Sequence, residues 1–211
     1  MTDGSREDLA ARRGTERKVY QPAEDSGLLA TAIEERGRGR LLEVGTGSGW
    51  VAARAAREVD AVTDVVASDR SPHACRAARQ RAAEDGSSAA FEVVRGDLVA
   101  PFVGDAFDTV AFNPPYLPTD PDNEWDDWME RALSGGESGR ALIEPFLDAV
   151  GRVLAPDGVV LLLVSSLAGY DAVLDHAAAC GFETRAVVEE SYPFETLSVV
   201  ALTRSRADAD N

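Results

Sequence analysis

Asn113-Pro114-Pro115-Tyr116 follows directly on the apolar run Thr109-Val110-Ala111-Phe112 and carries the most specific chemistry in the chain. An amide or exocyclic amine nitrogen has a delocalised lone pair, so it attacks an electrophilic carbon only when it is positioned and polarised. This motif can do both. The Asn113 side-chain oxygen and the Pro114 carbonyl can accept the two N–H bonds of a planar NH2 group, Pro115 stiffens the turn, and Tyr116 can cover the flat face. Catalysis of this kind rests on orientation and electrostatics, and the expected reaction is transfer of a methyl group to an amino nitrogen. Alone, Asn-Pro also marks an ordinary strand-ending turn.

The neighbouring motifs favour the chemical reading. Leu42-Glu43-Val44 reads as a strand running into Gly45-Thr46-Gly47-Ser48-Gly49, a turn that lets a ligand approach the backbone closely. The pattern is GxGxG and not GxGxxG, so an uncharged nucleoside with an amino-acid moiety suits it better than a pyrophosphate. Asp69 ends the next apolar run, where a carboxylate can accept both hydroxyls of a ribose. Asp97, in Arg95-Gly96-Asp97-Leu98, ends the third and can accept an adenine amino group while Leu98 lies on the base. One strand-end acid is usually a solvated residue. Gly45, Asp69, Asp97 and Asn113, each just after one of four successive strands, imply a single ligand rim.

The elements that must position them alternate. Helices are expected over 24–35 (Leu28, Leu29, Ala32 and Ile33 on one face), 50–58, from Ser71 and Pro72 to 83, 140–154 and 168–180, with strands over 41–44, 64–67, 91–94, 108–112, 159–164, 183–188 and 197–202. Gly181 ends the last helix. Two final strands with no helix between them predict a mostly parallel seven-stranded α/β sheet with one antiparallel strand and helices on both faces. The stretch 118–139, with Trp125, Trp128 and the acids Asp120, Asp122, Glu124, Asp126 and Asp127, reads as a long loop or lid. Those acids suit a basic partner surface, or form a solvated face with the two Trp residues as anchors. Residues 1–17 read as a mobile arm, 18–205 as one domain and 206–211 as a tail.

Composition narrows the classes. The 211 residues carry a net charge of −16 from 37 acidic and 21 basic side chains, and every basic residue except Lys18 is Arg. Such a surface repels nucleic acid. The surplus of Asp and Glu points to a high-salt cytoplasm, and biased codon usage is the alternative source of the Arg preference. Cys75 and Cys180 form no CxxC, and His73 and His176 match no zinc spacing, so no disulfide and no metal is expected and a reduced, cytoplasmic compartment fits. The run Val159-Val160-Leu161-Leu162-Leu163-Val164 is too short to span a bilayer.

Taken together, Gly45-Thr46-Gly47-Ser48-Gly49, Asp69, Asp97 and Asn113-Pro114-Pro115-Tyr116 resemble the Rossmann-like class I S-adenosylmethionine-dependent methyltransferases. Tyr20-Gln21-Pro22-Ala23-Glu24-Asp25-Ser26, Leu133-Ser134-Gly135-Gly136-Glu137-Ser138-Gly139-Arg140 and Glu195-Thr196-Leu197-Ser198-Val199 resemble the archaeal and eukaryotic branch of HemK-like glutamine methyltransferases, which modify class-1 translation release factors. The resemblance spans nearly all of 19–204. It implies S-adenosyl-L-methionine as cofactor, S-adenosyl-L-homocysteine as product and N5-methylglutamine in a Gly-Gly-Gln loop. Ser26, Glu43, Gly45, Thr46 and Gly47 would then surround the methionine portion and its loop, Asp69, Asp97 and Leu98 the adenosine, and Asn113, Pro114, Pro115 and Tyr116 the substrate glutamine. It also implies a heterodimer with a small zinc-binding activator, which the edge strand around Phe91 and Val94 would suit by β-augmentation. The branch has Glu and Thr where this chain has Gln21 and Ser26; Ser26 keeps the hydroxyl, whereas Gln21 removes a charge. Rival readings are an adenine-N6 DNA methyltransferase, which would need base flipping and a basic track, a protein-lysine methyltransferase, and a cofactor-binding scaffold without turnover.

Overall fold

Short runs rich in Val, Leu and Ala alternate with helical periods along the chain, and the computed structural model turns that alternation into a layered sheet. Residues 19, 23–86, 89–118 and 134–205 are described. The expectations for 1–17, Tyr20, Gln21, Pro22, the acids and Trp residues of 119–133, and 206–211 lie outside them.

The order is α1 (Glu24–Arg36), β1 (Gly39–Val44), α2 (Trp50–Glu58), β2 (Val62–Asp69), α3 (Pro72–Asp85), β3 (Ala90–Arg95), β4 (Phe107–Phe112), α4 (Ile143–Val153), β5 (Leu154–Ser165), a 3₁₀ turn (Ser166–Ala168), α5 (Tyr170–Ala179), β6 (Phe182–Ser191) and β7 (Thr196–Arg204). The sheet runs β3-β2-β1-β4-β5-β7-β6. All pairings are parallel except those of β7 with β5 and with β6, so β7 is the one reversed strand. The chain leaves β1 for one side of the sheet and returns to β4 on the other. Between those two strands lies the switch point at which such sheets open a crevice.

Leu161, Leu162 and Leu163 of β5 are all fully buried, as expected for a strand covered on both faces. On one face the Phe112 ring meets Phe146 of α4, centroids 4.7 Å apart. Ser71 caps α3 as its sequence predicts: its hydroxyl accepts from the amides of His73 and Ala74 at 3.2 and 3.3 Å, with Pro72 in the first turn.

Several boundaries differ from expectation: β1 and β2 begin two residues early, and α4 begins at Ile143 and not at 140. β5 begins at Leu154, where backbone pairing with Phe107 takes over from the helix five residues before the apolar run does. α5 starts at Tyr170 and not at 168, because Ser165 caps a 3₁₀ turn through Leu167 N and Gly169, at φ 77°, redirects the chain. β6 and β7 extend past their apolar centres, and their ladder continues to Ser191 opposite Thr196.

Candidate active site

A cavity of about 570 Å³ opens at the carboxyl ends of the parallel strands, and Ser26, Glu43, Gly45, Thr46, Gly47, Asp69, Asp97, Leu98, Asn113, Pro114, Pro115 and Tyr116 all line it. Every residue singled out for chemistry is therefore brought to one place. The volume suits a ligand of nucleoside and amino-acid size.

The glycine turn is tied down on three sides. Thr46 N donates to the Ser68 carbonyl at 2.9 Å, Gly47 N donates to Asp69 Oδ2 at 3.0 Å, and Glu43 Oε2 accepts from Thr46 Oγ1 at 2.5 Å and from Ala52 N at 3.0 Å. Gly45 holds φ 65°, and a Cβ there would lie 3.3 Å from the Phe112 ring and 4.0 Å from the Asn113 carbonyl oxygen. Only glycine lets the end of β1 pass so close to the end of β4.

Two carboxyls of the turn are electrostatically unusual. Burial pushes Glu43 up to about 8, with the charge of Asp69 adding to the rise. Asp69 is also raised, again chiefly by burial, against the lowering effect of its bonds from the amides of Ser71 and Gly47. Its oxygens accept from the Gly47 and Ser71 amides, and the Arg70 amide adds to their stabilisation. A cation or a hydroxyl pair entering this pocket meets acceptors that are held in place and short of water.

Asp97 and Leu98 line another wall of the cavity. Leu98 adopts φ 45°, a left-handed conformation costly for a branched side chain and one that no sequence pattern announces. Gly96, whose added Cβ would lie 2.1 Å from the Pro101 ring, lets this turn fold back.

Asn113 is half-buried, Pro114 buried, and Tyr116 only 2% exposed, so the aromatic ring is anchored in the core while it lines the cavity. The described part of the expected lid, 134–139, is a brace. Leu117 bridges to Ser134, Gly135 N donates to the Leu117 carbonyl at 2.9 Å, and Arg140 Nη1 donates to the Ala168 carbonyl at 2.7 Å. Gly139 sits at φ 74°, and a Cβ there would come within 2.6 Å of the Tyr116 carbonyl oxygen. The resemblance singled out this stretch; its role against Asn113-Pro114-Pro115-Tyr116 emerges only in three dimensions. Likewise Glu195 of the last resembling stretch, nearly buried, accepts from the buried Ser165 hydroxyl at 2.8 Å and secures the β6–β7 turn.

Asp25, part of the first resembling stretch but not among the expected site residues, also lines the cavity. It is 3% exposed, and its Oδ1 accepts from Ser26 N at 2.7 Å. It lies in the first turn of α1, where an acid also suits the helix dipole, and on the cavity wall at the same time.

Residues 22–126 match the Methyltransferase small domain family. Over 87% of this chain and 90% of its own length, the protein of Methanocaldococcus jannaschii that carries the name of a protein N5-glutamine methyltransferase is 32% identical. Human methyltransferase HEMK2 is 31% identical over 92% of this chain and 93% of its own. The Mtq2 chain of the Encephalitozoon cuniculi (E. cuniculi) Mtq2-Trm112 complex, described as methylating the eRF1 termination factor, superposes with a TM-score of 0.70 at 28% identity, covering 90% of this chain and all of that one. On these matches this chain belongs to the HemK-like class I S-adenosyl-L-methionine-dependent methyltransferases, on their archaeal and eukaryotic glutamine N5-methyltransferase branch.

Proposed function

We propose that this chain is the catalytic subunit of a cytoplasmic heterodimer that methylates N5 of the glutamine in the Gly-Gly-Gln loop of a class-1 translation release factor. The observation that carries the reading is the meeting of the glycine turn with Asn113 across the end of β1 and β4, with a would-be Gly45 Cβ only 4.0 Å from the Asn113 carbonyl oxygen. When bound, S-adenosylmethionine would supply an electrophilic methyl group to the amide nitrogen by in-line displacement, leaving as S-adenosylhomocysteine while the surplus N–H proton passes to water.

The chain's own residues divide the remaining work. Asn113 Oδ1 and the Pro114 carbonyl accept the two N–H bonds of the substrate amide and aim its nitrogen, and Tyr116 covers the amide plane. Asp69 holds the ribose hydroxyls, Asp97 and Leu98 the base, and Ser26, Glu43 and Thr46 the amino-acid end. The functional unit spans 18–205. β3 lies at the sheet edge, with Phe91, Val93 and Val94 half-buried, and offers a backbone edge for the small zinc-binding activator. The eRF1 methylation described for the Mtq2-Trm112 complex supports both the partner and the substrate. The net charge of −16 disfavours a DNA substrate and fits a basic protein surface in a high-salt cytoplasm.

The test is methyl transfer in high salt from S-adenosylmethionine to the cognate release factor, with and without the activator, followed by tandem mass spectrometry. The expected product is a methyl on the Gly-Gly-Gln glutamine, reduced about 100-fold or more in Asn113→Ala with cofactor affinity retained. Methyl on lysine or DNA adenine, or bound cofactor with no turnover, would overturn the assignment.

A further inference from the structure

Outside the residues that line the strand-end cavity, α4 and α5 bring together three donors of different chemistry. Asp148 projects from α4, His176 from the last turn of α5, and Cys180 caps that helix. The carboxylate oxygen, the imidazole nitrogen and the sulfur all lie within 4.8 Å of one another. His176 Nε2 is 2.8 Å from Asp148 Oδ1, and Cys180 Sγ is 3.5 Å from the same oxygen. Asp148 and His176 are reached by solvent, their side chains 62% and 32% exposed.

We propose that Asp148, His176 and Cys180 form a structural binding site for one divalent cation of the Zn²⁺ class, with water as fourth ligand. A tetrahedral zinc with Zn–S near 2.3 Å and Zn–N or Zn–O near 2.0–2.1 Å sets donor-to-donor edges of roughly 3.3–3.6 Å. The sulfur-to-carboxylate distance already has that value, and the nitrogen-to-oxygen contact needs to open by about 0.5 Å, which an exposed Asp148 can do by rotation. Thiolate with imidazole selects zinc, or cobalt as its spectroscopic substitute, over the hard cations that carboxylates alone would take. The carbonyl end of α5, where His176 and Cys180 sit, also favours positive charge. On binding, the Cys180 thiol gives its proton to water and His176 ligates as the neutral ring. Thiolate and carboxylate then match the two charges of the cation, with no change of oxidation state.

A nucleophilic role for Cys180 fits less well. Asp148 touches both of the other groups and does not stand behind the imidazole as an orienting acid would, and burial together with Asp148 pushes the thiol up, away from the thiolate. As a clip, the ion would join α4, which follows the brace at 134–140, to α5. His176 lies in the last turn of α5 and Cys180 at its C-cap, and by themselves they match no zinc motif. Two donors make no site, and the third comes from another helix, which is why the sequence alone predicted none.

Metal-freed, untagged full-length chain in reducing high-salt buffer is titrated with Co²⁺ and then with Zn²⁺. The site predicts one Co²⁺ per chain, a thiolate-to-cobalt charge-transfer band in the near ultraviolet, its displacement by Zn²⁺, and a rise in melting temperature with Zn²⁺. Cys180→Ser and His176→Ala each weaken binding by at least about 100-fold, more than the loss attached to outer-sphere partners, and Cys180→Ser abolishes the band. Circular dichroism checks that each variant folds, and the exposed Asp148→Asn carries the comparison if Cys180→Ser does not. A titration without the band overturns the site. So does cobalt binding of unchanged strength in the variants, which would mark it as the acidic surface acting alone.

Discussion

Replacing Glu43 by Gln changes the pH dependence of stability in a way that the burial of this one carboxyl fixes. In the folded chain Glu43 is raised from 4.5 to about 8. Between those values the folded state keeps a proton that the unfolded chain has lost, so stability falls as pH rises through the window and is level above it. One pH unit corresponds to about 1.36 kcal/mol. From pH 5.5 to pH 7 the wild type thus loses about 2 kcal/mol that Glu43→Gln, neutral throughout, does not lose. Other titrating groups are common to both chains and cancel in the difference, except Asp69, whose charge is coupled to that of Glu43. The Gln carbonyl can keep the bonds from Thr46 Oγ1 and Ala52 N, while its NH2 enters a pocket built around a carboxyl. The absolute gain is therefore smaller than the pH-dependent one, about 1–2 kcal/mol at pH 7. Urea unfolding of the cofactor-free chain at pH 5.5, 6.25 and 7 measures the widening gap. A cationic ligand favours the ionised carboxyl, so cofactor affinity rises toward pH 8 in the wild type and stays flat in the variant, as calorimetry would read. Parallel stability curves for the two proteins would show that Glu43 is already ionised at pH 5.5 and refute the reasoning.

Gly139→Ala must relieve a 2.6 Å approach to the Tyr116 carbonyl and a φ of 74°, at about 1–3 kcal/mol; kcat is expected to fall at least 10-fold and cofactor Kd to change little, as single-turnover assays and calorimetry would measure. Leu98→Asn keeps a residue that tolerates φ 45° and removes the apolar cover of the cavity, so melting temperature rises slightly while cofactor binds about 10-fold more weakly. Phe91→Lys places a charge on the β3 edge and should weaken binding of the small activator at least 10-fold without altering the chain's cofactor affinity, as measured by pull-down and titration. If the surface is adapted to salt, thermal scans in increasing KCl will show stability rising into the molar range; a chain equally stable at about 0.1 M would trace the Arg content to codon usage alone.

The architecture was legible because its signals are local. An apolar run flanked by polar turns can be little except a buried strand, and Ser71-Pro72 starts a helix by satisfying amides that lie two and three residues on. The reversed β7 followed from the absence of a helix between the last two runs. Convergence of Gly45, Asp69, Asp97 and Asn113 was legible for the same reason, since a parallel sheet places all its carboxyl ends at one rim. What escaped depends on contacts between distant segments. The start of β5 at Leu154 is set by Phe107, the left-handed Leu98 by the packing of its turn, and the brace at 134–140 by Leu117 and Ala168. Asp25, absent from the expected site residues, serves a helix terminus and a cavity wall together.

The two halves of the site are held by different devices, and that separation has a mechanistic consequence. In the proposed reading, the cofactor half hangs on the ends of β1, β2 and β3, with hydrogen bonds among Glu43, Thr46, Gly47, Ser68 and Asp69 holding the first two, and the acceptor half on β4. The acceptor half is pressed into place by the 134–140 brace, whose Arg140 is anchored to the carbonyl of Ala168 beyond β5. They meet along the β1–β4 pairing, which ends where Gly45 lies against the Phe112 ring and the Asn113 backbone. Changes in the brace should therefore act on the chemical step and leave cofactor binding, whereas changes in the glycine turn should lower both, because a displaced turn moves the methyl donor relative to an acceptor that has not moved.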